Sequence, residues 1–171
     1  MIMFLEQSNI LDTWSFTAGE WNRFVAIEKR IKREDNIYFG IGILVLCTPG
    51  LMILRSTSFL TALLFSAPLA LLIPWLRMKF SNPHLKDASK ESIIEIYHEH
   101  LTINSKKIDL YGKKKWLKDM KIIETNDNFK LLEFTVEWKT RNGNTNDETR
   151  IPIPKGKELK ALELIEFYRE Y

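Results

Sequence analysis

Charge is missing from two long stretches of this 171-residue chain, one between Asp35 and Arg55 and one between Arg55 and Arg77. Cysteine is nearly missing too. Cys47 stands alone, so no disulfide framework can form within one chain, which fits a reducing setting for the polar part. Histidine is scarce, at three residues. No serine elbow, phosphate loop, paired catalytic carboxylates or Cys–His pair is present, so neither enzymatic activity nor a cofactor is expected. The net charge of +3 is too small to imply a nucleic-acid partner. Met1–Glu6 lacks a basic start, a long apolar core and a small-residue cleavage site, so no signal peptide is expected there. Internal repeats and low-complexity tracts are absent.

What is present is uneven. Overall the chain is 45% hydrophobic and 27% charged, ordinary averages for a soluble protein. The apolar residues, however, concentrate in Ile37–Leu76. About 20 apolar residues span the roughly 30 Å of bilayer hydrocarbon as a helix, and this region holds two such lengths. The first is Ile37–Leu54 and the second Phe59–Leu76. Ten Leu, Ile or Phe residues in the second span favour insertion by about 3 to 6 kcal/mol. Pro49-Gly50, Pro68 and Pro74 lie inside the spans, where membrane helices tolerate them. A connection of only Arg55–Ser58 makes the spans antiparallel neighbours. Arg23, Lys29, Arg30, Lys32 and Arg33 precede them and Arg77, Lys79, Lys86 and Lys90 follow, against Arg55 alone between. The positive-inside rule then expects both termini in the cytoplasm, with Tyr38 and Trp75 at the interface.

Before the spans, Thr17–Glu20 has the capping-box pattern, with a helix expected over Ala18–Asp35. Trp21, Phe24, Val25, Ile27 and Ile31 give that helix an apolar side. The expected organisation is an amino-terminal amphipathic segment at 1–36, a transmembrane hairpin at 37–76, a linker at 77–90 and a cytosolic domain at 91–171.

In that last region the period changes to two. Ser92–Tyr97, Leu101–Asn104 and Lys107–Tyr111 read as short strands, followed by Trp116–Thr125 with Trp116, Met120 and Ile122 on one parity. Lys130–Thr140 alternates cleanly, with Leu132, Phe134, Val136 and Trp138 opposite Glu133, Thr135, Glu137 and Lys139. Turns are expected at Asn126–Asn128 and Asn142-Gly143, and a last strand at Arg150–Pro154. A closing helix over Lys157–Tyr168 puts Ala161, Leu164, Ile165 and Tyr168 on one side, flanked by Leu162. The expected fold class is a membrane α-hairpin plus an α+β domain, its curved antiparallel sheet plugged by the carboxyl-terminal helix.

The order of a Trp14–Trp21 segment, a two-span hairpin, a strand-rich domain with Trp116, and Ile151–Lys155 before a helix resembles bacterial YcxB-like membrane proteins. That resemblance spans nearly the whole chain. It implies a cytosolic part similar to a pleckstrin-homology (PH) domain, an antiparallel β-barrel closed by its helix, with no known catalytic centre. The implied location is the bacterial inner membrane.

Two constellations remain. His98 and His100 form the one histidine cluster, and neither His84 nor Cys47 is placed to add a third ligand, so an exposed turn is expected rather than a metal site. Lys106, Lys107, Lys113, Lys114, Lys115, Lys118 and Lys121 form a basic run broken only by Asp109 and Asp119. Beside an anionic leaflet such a run is a candidate lipid head-group site, each lysine contributing about 1 kcal/mol. The expected function is a non-enzymatic, membrane-anchored module that engages a protein partner at the cytoplasmic face. The alternatives are anionic-lipid recognition by those lysines, or a homo-oligomer formed through Gly40, Gly42, Ala62, Ser66 and Ala70.

Overall fold

A computed structural model describes residues 10–81, 85–125, 129–141 and 143–170. They form two compact units: residues up to Phe24 together with those from Asp87 onward, and Val25–Lys86.

The second unit is a helical hairpin. Helix α1 (Ala18–Arg55) begins in the first unit and continues without a break. The helix expected to stop at Asp35 and the first span are therefore one element. No glycine or proline separates them, and the Asn36 side chain donates to the Lys32 carbonyl at 2.7 Å instead of diverting the chain. Pro49 is carried within α1, and α2 (Phe59–Ser81) likewise carries Pro68 and Pro74 and runs past Leu76. Between the helices, Ser56 takes a positive φ, Thr57 donates to the Leu51 carbonyl, and Ser58 Oγ accepts from the Thr61 amide. The helices meet through small residues. A Cβ on Gly40 would lie 2.9 Å from the Ala70 carbonyl oxygen, and the buried hydroxyls of Thr48 and Ser66 are 2.7 Å apart. Ala62, Ser66 and Ala70 are all buried one turn apart on α2. Large apolar side chains point outward: Ile53, Leu54 and Leu60 are 80%, 82% and 76% exposed. Both helices are long and apolar enough to cross a membrane.

The first unit is an α+β domain with two antiparallel sheets. One has the order β1 (Ile10–Phe16), β2 (Ser92–Tyr97), β3 (His100–Ile103), β4 (Lys106–Asp109). The other has the order β5 (Lys115–Glu124), β6 (Lys130–Thr140), β7 (Gly143–Pro152). Helix α3 (Glu158–Glu170) follows. Among the described residues the two sheets do not join into one closed ladder, so they show an open α+β layout and not the expected closed barrel. β4 hands over to β5 through a tight turn, and no described strand bonds across the gap.

The main departure from the sequence is β1. Strand pairing was expected only after residue 91, yet Ile10–Phe16 lies along β2, with Trp14 opposite Ile94 and Phe16 opposite Ser92. Its period of two turns Asp12, Trp14 and Phe16 inward. Trp14 and Phe16 are buried with Ile94, Ile96, Leu101 and Ile103 of the same sheet. The start of α1 belongs to this core as well. Trp21 and Phe24 are fully buried, Trp21 packing 6.3 Å from Phe16 and 5.2 Å from Phe24. The capping box forms as expected, Glu20 accepting from the Thr17 amide and hydroxyl while Thr17 Oγ1 accepts from the Glu20 amide. Asn22 closes the domain across the excursion of the chain: its Nδ2 donates to the Ala88 carbonyl and its Oδ1 accepts from the Ala88 amide.

Helix α3 buries Ala161, Leu164 and Tyr168 and touches both sheets. The Tyr168 ring meets Phe134 of β6 edge-on, and its hydroxyl donates to the Tyr97 carbonyl at the end of β2. Burial, together with nearby Tyr111, pushes the Tyr168 phenol well above its ordinary value. At the start of α3, Lys157 Nζ sits 3.1 Å from Asp12 of β1. Burial alone would raise the Asp12 carboxyl, but Trp14 Nε1, Lys157 and the Thr13 amide hold it below the usual range.

Candidate functional site

The lysine run crosses several elements. Asn104 and Ser105, both at positive φ, turn β3 into β4 and present Lys106 and Lys107. After β4, Leu110 is fully buried and its amide donates to the Glu99 carbonyl, which fixes where the next turn begins. Gly112 and Lys115 then exchange backbone bonds at 2.8 and 3.2 Å, leaving Lys113 and Lys114 at the tip of a two-residue turn. β5 carries the rest.

The structure does not hold the seven lysines together as one free patch. Lys107 faces Asp109 at 3.5 Å, Lys118 faces Glu137 at 3.1 Å and Lys121 faces Glu133 at 3.0 Å. Lys106 is engaged as well. Lys113, Lys114 and Lys115 have no side-chain ion pair or hydrogen bond among the described residues. The site narrows to those three at the head of β5.

A bulge between Leu117 and Asp119 resets the faces of that strand. Trp116 lies opposite Glu137, on the polar side, so it does not share a parity with Met120 and Ile122 as its spacing suggested. Lys115, Leu117, Met120 and Ile122 lie opposite Trp138, Val136, Phe134 and Leu132, which puts them on the face towards α3. Between Leu117 and Met120 of β5 and Ile165, Tyr168 and Arg169 of α3 is a groove of about 150 Å³. The other side of β5 carries no strand among the described residues.

The opposite face of this sheet holds a buried charge ladder. Glu133 is buried, with Arg150 Nε at 2.7 Å and Lys121 Nζ at 3.0 Å, and Arg150 also bonds Glu148. Burial works against the ionised Glu133, but Arg150 and Lys121 more than offset it and keep its carboxyl below the ordinary range. Its centre, Glu133 with Arg150, is buried, while Lys121 and Glu148 are half-exposed, and each of the four is ion-paired within the sheet.

A second cavity, about 240 Å³, lies among Phe16, Arg23, Phe129, Lys130 and Lys155, with Glu20 and Glu158 on its rim. The Arg23 guanidinium stacks 5.6 Å over Phe129. Its charges are of both signs, and the Glu20 carboxylate is committed to the cap.

The histidines do not converge. His98 packs among Tyr111, Phe167 and Tyr168, whereas His100 stacks on Tyr97 at 4.3 Å. His84 lies outside the described residues, as does the Asn126–Asn128 turn. Among the described residues no group of His, Cys, Asp or Glu is placed to hold a metal ion. Gly40, Ala62, Ser66 and Ala70, expected at an interface between copies, are buried within the single chain, and Gly42 is half-buried. No protein-family model, curated protein or solved structure matches this chain.

Proposed function

We propose that this protein is a non-enzymatic module of the bacterial inner membrane, which inserts α1 and α2 as a hairpin and presents its α+β domain to a protein partner in the cytoplasm. One observation carries the topology. β1 precedes the hairpin and β2 follows it, yet the two are hydrogen-bonded neighbours in one sheet. A chain that crosses a bilayer between them must cross an even number of times, so both flanks emerge on the same side. The outward Leu, Ile and Phe side chains of α1 and α2 suit lipid rather than water, since patches beyond a few hundred Å² rarely stay exposed on soluble proteins. Lys and Arg on both flanks, against Arg55 alone in the connection, favour the cytoplasmic side. With the α1–α2 hairpin set aside as an insertion between β1 and β2, the described elements run as seven strands and then a helix, which supports a PH-like reading. A sheet with open edges serves recognition by backbone pairing.

Protease added to sealed inside-out vesicles should remove the domain and leave a protected hairpin fragment, while right-side-out vesicles should protect the domain. Release of the intact chain by alkaline washing would refute the anchored module. Recovery of no discrete cross-linked adduct from native membranes would refute the partner.

A further inference from the structure

We propose that the partner-binding site is the free edge of β5, where an extended acidic peptide adds as a strand, seats one apolar side chain in the groove against α3 and lays its carboxylates on Lys113, Lys114 and Lys115. This deepens, and rests on, the anchored-module function above.

The four sheet edges differ in what they offer: β1 is irregular between Ile10 and Asp12, and its inward Trp14 and Phe16 are already buried. β4 is four residues long and carries Lys106, Lys107 and Asp109, a short charged edge of the kind that resists pairing. β7 from Gly143 to Glu148 is exposed on both faces with no apolar residue, so it gives an added strand nothing to pack on. β5 is ten residues long, pairs with β6 on one side, bonds Gly112 through Lys115 on the other, and from Trp116 onward carries no strand on that outer side among the described residues, with α3 beside its apolar face. A strand laid there would gain backbone hydrogen bonds from the edge and a pocket for its inward side chains, which alternate with outward ones.

The groove sets the apolar requirement. Leu117 and Ile165 are half-buried, and the space of about 150 Å³ between them takes one medium side chain. Charge sets the rest. Lys115 is on the same face as Leu117, two residues earlier, which is about 7 Å along a strand. Lys113 and Lys114 continue from it around the turn, and Arg169 closes the α3 side, against Asp119 as the one acidic residue lining the groove. An anchor residue with carboxylates two or more positions away matches that layout. A lipid head group would meet the lysines, but it would use neither the unpaired backbone of β5 nor the single-residue groove.

The test uses the full chain in phosphatidylcholine nanodiscs. Fluorescein-labelled nonapeptides of alternating Thr and Leu, with three glutamates at one end or the other, serve as probes, with lysine-tailed counterparts as controls. An acidic peptide should bind by fluorescence anisotropy. Binding should fall at least about tenfold in Lys113→Glu/Lys114→Glu, as for loss of close charge pairs. It should fall comparably in Ile165→Arg, with unchanged tryptophan emission as the check on folding. N-methylation of alternate peptide amides should abolish it in one phase and spare it in the other. Equal binding of lysine-tailed peptides, no binding of either acidic peptide, or insensitivity to Ile165→Arg and N-methylation would each overturn the proposal. So would protection of Lys113–Lys115 from acetylation by phosphatidylserine discs and not by peptide, which assigns the lysines to lipid. Partner adducts that persist in Ile165→Arg membranes would remove this groove while leaving the anchored module intact.

Discussion

Trp14 offers the sharpest test that a strand made before the hairpin belongs to the domain made after it. Its ring is 1% exposed, it lies opposite Ile94 on β2, and its Nε1 donates to Asp12 at 2.7 Å. Trp14→Ala empties that volume and strips one of the donors that hold the Asp12 carboxylate. Truncating a buried tryptophan costs about 3 to 5 kcal/mol. Against a total of about 5 to 15 kcal/mol for a domain, that is a large fraction. Hydrogen exchange of the full chain in detergent micelles, read by mass spectrometry, would report it directly. Amides of Ser92–Ile103 that exchange by global opening should lose about two to three and a half decades of protection, at one decade per roughly 1.4 kcal/mol. The conservative Trp14→Phe, which removes the N–H but keeps most of the apolar area, should cost about 1 to 2 kcal/mol. Ile10→Ala is the control: Ile10 is 43% exposed, and surface changes stay within about 0.5 kcal/mol. Unchanged protection of Ser92–Ile103 in Trp14→Ala would refute the pairing of β1 with β2.

Three further outcomes are expected. Arg150→Met should destabilise the domain by about 3 kcal/mol in urea melts followed by tryptophan fluorescence, because buried Glu133 keeps only a half-exposed Lys121. Adding Glu133→Leu should recover most of the loss, since a buried pair replaced whole by apolar residues is often neutral. Domain stability should be flat from neutral pH down to about 5 and fall below about 4. Asp12, Glu20 and Glu133 all have folded values below their ordinary ones, so their contribution is complete above the unfolded carboxylate range and is lost as pH drops through the folded values; a melt midpoint rising on acidification would contradict this. In a Cys47→Ser background, cysteines at 48 and 66 should cross-link within one chain under mild oxidation, since the native hydroxyls are 2.7 Å apart. Gly40→Leu should slow that cross-link sharply by forcing its side chain onto the Ala70 backbone.

Much of the fold was legible where one physical signal ruled. The two long apolar helices showed as charge-free length, the α1 start as Thr17 and Glu20 in register, and β6 as strict alternation. β7 was legible only at its end. Residues Gly143–Glu148 are all polar, exposed on both faces and held in the sheet by the backbone ladder with β6, so no pattern of burial marks them. Trp116 was misassigned because a bulge adds a residue to β5 and shifts parity, which no period reveals. β1 does alternate, but its partner lies beyond the hairpin, and local sequence carries no record of so distant a pairing. The candidate site was visible only as composition. Seven lysines look equivalent along the chain, and three-dimensional placement opposite Asp109, Glu133 and Glu137 separates the committed ones from Lys113, Lys114 and Lys115.

The distance along the chain between Phe16 and its partner Ser92 bears on biogenesis. A ribosome adds about 5 to 20 residues each second, so the leading strand waits roughly 4 to 15 s before its neighbour exists. Throughout that interval Trp14 and Phe16 have no sheet to bury them, since α1 and α2 are both made before β2. In the proposed membrane topology, a nascent protein whose second helix failed to return would strand the two halves of the ladder on opposite sides of the bilayer. In the proposed topology, completing the sheet requires the second helix to return, and a molecule in which it did not would leave Trp14 without the β2 face that buries it.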